Sequence, residues 1–135
     1  LAQHSTFEET AYLLLHGELP NAAQLAAFDA ALKAARELPP QIIAIIETVK
    51  AGHPMDVLRT AVSALAAFEP DTFDNSVDAT RAKGIRLTSQ VPMIVAAHAA
   101  IRHGKPIPAA DPALSHAANF LWMITGRRPS AMRRN

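Results

Sequence analysis

The chain has 135 residues, a formal net charge of +1 and a hydrophobic fraction of 50%. That is enough apolar material for one packed domain or part of a larger one, and the near-neutral balance gives no reason to expect nucleic acid as a partner. Cysteine is absent, which excludes disulfides and thiolate metal sites and suits a cytoplasmic protein.

Aromatic residues make up only 5%, and alanine carries much of the apolar content. Such a composition favours helices that approach closely through small side chains. No apolar run reaches the ~20 residues needed to span a bilayer, so no membrane partner is expected. No secretory signal is visible, and the opening residue is Leu1 rather than Met, as though an N-terminal portion were cut or left out.

The stop and start signals predict about six helices in chain order. Ser5 and Glu8 have the spacing of a capping box and open a first helix with Phe7, Ala11, Leu14 and Leu15 on one side; Gly17 closes it. Asn21, with Gln24 at the box position, opens a second helix whose apolar stripe is Leu25, Phe28, Leu32 and Ala35. Pro39-Pro40 ends that helix and seats a third, 41–50, rich in isoleucine.

His53-Pro54 begins a fourth helix over 54–68, ended by Pro70. Asp71 to Asn75 is a polar loop with acids at Asp71 and Asp74. A long fifth helix is expected from Asn75 or Ser76 to about His103, kinked at Pro92, where a backbone bond is lost. A proline-rich loop, 105–112, leads to a sixth helix from about Pro112 to Thr125, stopped by Gly126. No segment alternates as a strand does, and no internal repeat is present. The fold class is therefore all-α.

The fourth and fifth helices are too apolar for an ordinary surface helix, which shows a single stripe of roughly 100°. Met55, Leu58, Val62 and Leu65 form one row on the fourth helix, and Val57, Ala61, Ala64 and Phe68 form another. The fifth is nearly as apolar from Val91 to Ile101. Further sequence or a second subunit would be needed to cover both.

Candidate chemistry is sparse. Among His4, His16, His53, His98, His103 and His116, no pair has a convincing metal spacing. His98, inside an alanine-rich helix, reads as a hydrogen-bonded core residue, and His53 as a cap or contact. His116 follows Ser115, but nothing places a third member of a triad. There is no glycine-rich phosphate loop. The arginines at 127, 128, 133 and 134 form a basic end whose simplest account is a solvated terminus. The residues alone thus offer no catalytic, cofactor-binding or metal-binding set.

Several strings carry a resemblance. They are Tyr12-Leu13-Leu14-Leu15-His16-Gly17-Glu18-Leu19-Pro20 and, most specifically, His53-Pro54-Met55-Asp56-Val57-Leu58-Arg59-Thr60 followed by Ala61-Val62-Ser63-Ala64-Leu65. Asp74-Asn75-Ser76 and residues 114–126 add to them. In this order the chain resembles the N-terminal part of the large domain of bacterial citrate and 2-methylcitrate synthases, over about residues 1–126. Residues 127–135 depart from that pattern as a basic tail, which fits a shifted reading frame, an early stop or a cut.

The resemblance implies a mainly helical homodimer that condenses acetyl-CoA, or propionyl-CoA, with oxaloacetate. It also implies that the catalytic machinery lies elsewhere. The family's histidine motifs, of the forms HxxxxAS, GPxHGGAN and GxGHxxY, and its catalytic aspartate follow the matched region, and no such strings occur here. No catalytic residue is carried over, and no cofactor is expected on this chain; the acyl-CoA is a substrate of the family. What carries over is architecture. Helices 54–68 and 77–103 resemble the family's dimer-interface helices, so Met55, Leu58, Val62, Leu65, Val91, Ile94 and Val95 are expected near a contact in a homodimer or higher oligomer. Two functions remain open: a portion of an acyltransferase, inactive alone, or a non-catalytic helical protein of that descent that oligomerises or binds a partner.

Overall fold

A computed structural model describes residues 4–70 and 73–129. Asp71 of the expected acidic loop, and Arg133 and Arg134 of the basic end, lie outside the described residues. Within them, six α-helices follow one another: α1 Phe7–His16, α2 Ala22–Ala34, α3 Pro40–Val49, α4 Pro54–Leu65, α5 Val77–Arg102 and α6 His116–Thr125. No strand occurs among the described residues, so the fold is all-α. No helix among them is long and apolar enough to cross a membrane.

Local chemistry sets most of the boundaries. At α2 the Asn21 side chain accepts from the Gln24 amide at 2.8 Å, and the Gln24 side chain accepts from the Asn21 amide at 2.9 Å. Both orphan donors are thereby satisfied. Asn21→Ala should cost about 1 kcal/mol, read as a lower denaturant midpoint at unchanged slope. At α4 the His53 ring Nδ1 accepts from the Met55 amide at 3.1 Å, the capping role its place before a proline suggested. Gly17 and Gly126 close α1 and α6 at φ +82° and +68°, where a side chain would be strained.

Three boundaries differ from expectation. The cap of α1 is Thr6, whose hydroxyl accepts from the Glu9 amide at 3.2 Å. The cap moves one residue from Ser5, without the reciprocal bond of a box, and Glu8 is freed to turn inward. The fourth helix stops being α-helical at Leu65, and Ala66–Phe68 is a 3₁₀ turn. Pro70 disfavours α geometry in the residue before it, and the turn tightens to a Glu69 N–H to Ala66 carbonyl bond of 3.4 Å. The sixth helix begins at His116 rather than Pro112. Asp111 holds residues 112–114 in a turn, its carboxylate accepting from the Ala113 amide at 2.9 Å, and Ser115 then caps the helix. α5 runs through Pro92 as one helix of 26 residues.

α5 is the axis of the array, with α1, α2, α3, α4 and α6 all packed against it. The main core joins Ile42 and Ile46 of α3, Val57, Ala61 and Leu65 of α4, and Ile94 and Ala97 of α5. A second cluster joins Tyr12 of α1 to Phe28 and Leu32 of α2, with the Tyr12 and Phe28 rings edge to face at 5.5 Å. A third joins Met93 and Ala96 to Met123 of α6. The stripe expected on α1 is split. Ala11 and Leu15 pack inward, whereas Leu14 is 80% exposed and Phe7 44% exposed. Turning Glu8 and Tyr12 inward rotates Leu14 to the outside.

Candidate functional site

Two features of this array go beyond an ordinary core. The first is an outer apolar face on α4 and α5. On α4, Met55 is 61% exposed, and Leu58 and Val62 are half-buried. On α5, Leu87 and Val95 are 39% and 38% exposed, with half-buried Val91 between them. The spacing of 87, 91 and 95 is i, i+4, i+8, a single row along one side of the helix. Val62 and Leu87 meet across a groove of about 220 Å³ that Leu65, Ala66, Glu69 and Lys83 also line. An ion pair between Arg86 and Glu69 ties the two elements beside it.

Of the seven residues expected at a subunit contact, five lie on or at the edge of this face. Ile94 does not, because it is buried in the chain's own core, and Leu65, buried there too, reaches only the lining of the groove. One residue along α5 is a rotation of about 100°, which carries Ile94 to the α3–α4 side while Val95 stays outside. Leu87 joins the face without having been expected there. Its spacing to Val91 and Val95 was a usable signal, but it lies in a more polar stretch of the helix.

The second feature is a buried polar junction where α1, α2, α6 and the connection before α6 come together. Arg36, 5% exposed, donates to the carbonyls of Asp111 and Leu114 at 3.0 Å each. Burial pulls its guanidinium down from its ordinary value, opposed by Asp29, Glu8 and Asp111. The Glu8 carboxylate accepts from the His116 amide at 2.8 Å, so a residue of α1 helps cap α6. Asn119 accepts from the Asp111 amide at 2.8 Å, and its own amide points at the Met93 sulfur at 3.8 Å. Trp122 donates to the Ala109 carbonyl at 2.8 Å, with Arg128 over its ring and paired to Asp111. Asp111 is held below the usual carboxylate range, chiefly by the Ala113 amide and Arg128. These contacts are turned on the protein's own backbone, and their effect is to fix the 105–115 connection.

Two histidines, His98 and His116, are buried in contacts between helices. His98 is buried on α5, its Nε2 at 3.0 Å from the Lys50 carbonyl, which ties α5 to the end of α3. His116 is buried and stacked on Phe7 at 4.5 Å. No group of three His, Cys, Asp or Glu residues close enough to hold a metal occurs among the described residues.

The strings picked out in the sequence find their counterpart in comparison with known proteins. The family model described as citrate synthase, C-terminal domain, matches residues 1–135. The chain belongs to the citrate synthase family. The match includes the basic segment 127–135 that the motif strings leave out. A citrate synthase of Deinococcus radiodurans is 45% identical over 130 residues, which cover 96% of this chain and 34% of that protein. A 2-methylcitrate synthase of Corynebacterium glutamicum is 42% identical over 127 residues, 93% of this chain and 33% of that protein. Among solved structures, citrate synthase from Pyrobaculum aerophilum superposes with a TM-score of 0.91 at 32% identity, covering 98% of this chain and 35% of that one. The chain thus spans about a third of the length of these citrate synthase relatives.

Proposed function

We propose that this sequence serves an acyltransferase that condenses acetyl-CoA or propionyl-CoA with oxaloacetate to give citrate or 2-methylcitrate, and that its share of the work is structural. The carrying observation is the match of nearly the whole chain to one third of both kinds of synthase. The family's histidine motifs occur nowhere in the 135 residues. What the chain contributes on this reading is an α5-centred helical frame and a contact surface.

The reading includes a homodimer formed through Met55, Leu58, Val62, Leu87, Val91 and Val95. Two copies of a helical apolar face can cover each other around a two-fold axis. It also includes a cytoplasmic location, which suits a chain without cysteine.

Free CoA release tests the division of labour. The purified 135-residue chain, given oxaloacetate with acetyl-CoA or with propionyl-CoA, should release thiol no faster than a blank without protein. Turnover that co-purifies with the chain would overturn the structural assignment. Replacing the matching third of the Deinococcus radiodurans citrate synthase with this chain should leave a folded, CoA-releasing enzyme. A chimera that folds and dimerises yet releases none would count against the enzyme reading and favour a non-catalytic role.

A further inference from the structure

The junction between α1 and α6 contains a titratable group in a setting built against its charged form. His116 is the first residue of α6, where the aligned backbone dipoles present positive potential. The residue is 8% exposed, and its ring lies flat on Phe7, the interplanar angle being 7°. The Arg36 guanidinium is a fixed positive charge nearby. The Glu8 carboxylate favours a proton on the ring, but its Oε1 is engaged by the His116 backbone amide at 2.8 Å. Among the described residues, Glu8 of α1 and Arg36, just after α2, are the charged groups that act on the ring; Asp111, on the connection before α6, acts on Arg36.

We propose that the α1–α6 junction is an acid-sensitive latch, closed while the His116 imidazole is neutral and opened when it takes a proton from solvent. Closed, Phe7 covers the ring and Glu8 caps α6. Opened, the imidazolium moves to water, and the stack and the Glu8 cap separate. α1 is the element released, because Phe7 and Glu8 are both on it.

The direction of the pH response follows from the setting. Burial and Arg36 hold His116 below its ordinary value of 6.5, with Glu8 opposing them. The open state therefore binds more protons, and the latch is fully stable above about 6.5 and weakens as pH falls below it. Asp111 and Asp74 titrate in a separate window. Hydrogen bonds hold both below 3.8, so what they contribute is kept above that value and lost only as pH falls through their lowered values.

Hydrogen exchange between pH 7.5 and 4, corrected for intrinsic rates, tests the latch in the whole chain. In the parent, amides of α1 and the start of α6 should lose protection below pH 6.5, with an opening constant that rises by up to about tenfold per pH unit. His116→Phe keeps an aromatic ring against Phe7 and the amide that Glu8 receives, but has nothing to titrate. Its protection should stay flat down to the carboxylate range. An identical pH response in both proteins would overturn the proposal. Should His116→Phe fail to fold, the parent still decides by NMR, with the His116 ring assigned through its contact with Phe7. A midpoint below 6.5 that coincides with loss of α1 protection supports the latch. A midpoint at or above 6.5, or protection that ignores the titration, overturns it.

Discussion

Replacing Arg36 with methionine is expected to destabilise the chain by roughly 2–5 kcal/mol, the range for removing one member of a buried charged hydrogen-bond set. Methionine fills similar volume along the stem, so packing loss is small. What is lost is the donor for two carbonyls, those of Asp111 and Leu114, which both point at the guanidinium inside the junction. Arg36→Lys should recover only part of the loss, since one ammonium cannot present two parallel donors in the fixed fork that meets them both. The denaturant midpoint followed by circular dichroism measures the effect. A loss under about 1 kcal/mol would mean that water replaces the guanidinium and that the junction is wetter than its burial indicates. Hydrogen exchange would locate the damage, which should appear first in the 105–115 connection and the start of α6.

The second large effect separates folding from association by a shift of one residue. Ile94→Asp places a carboxylate at a site with 0% exposure among Ile42, Ile46, Val57 and Leu65, and the chain should not fold. Val95→Asp places the same carboxylate at a site already 38% exposed, where it can stay hydrated. That variant should keep its helical signal and thermal transition but lose self-association in sedimentation velocity, because the charge would be buried only in the proposed dimer. A Val95→Asp protein that sediments like the parent would remove the α4–α5 face as the subunit contact. The pair also guards against the usual ambiguity of interface mutants, since a folding defect and an association defect are read from neighbouring positions on one helix.

Features that depend on a few neighbouring residues are legible in the sequence. Asn21 and Gln24 form their box as spaced, His53 caps α4 through its own ring, and His98 is a hydrogen-bonded core residue. In each case the partner is within a turn, or the surrounding alanines already imply burial. The polar junction is not legible in this way. Glu8 and His116 are 108 residues apart, and Arg36 is 75 from Asp111. A charged residue that folds inward looks, in sequence, like one that faces water. The shift of the α1 cap from Ser5 to Thr6 belongs with this group, since both hydroxyls suit the role and the inward turn of Glu8 accompanies the choice.

The all-α class, the order of the six helices, most of their ends and the family follow from the residues alone, because helical period, proline and glycine stops, and collinear motif strings are all local signals. Which apolar residues of α4 and α5 serve the core and which stay outside is a matter of tertiary packing. Their periodic rows overlap, and the choice between Ile94 and Val95, or Leu65 and Val62, depends on where α3 lies. The meeting of Glu8, Arg36 and His116 has the same origin. It rests on the packing of α1, α2 and α6 around α5, and no short-range rule contains it.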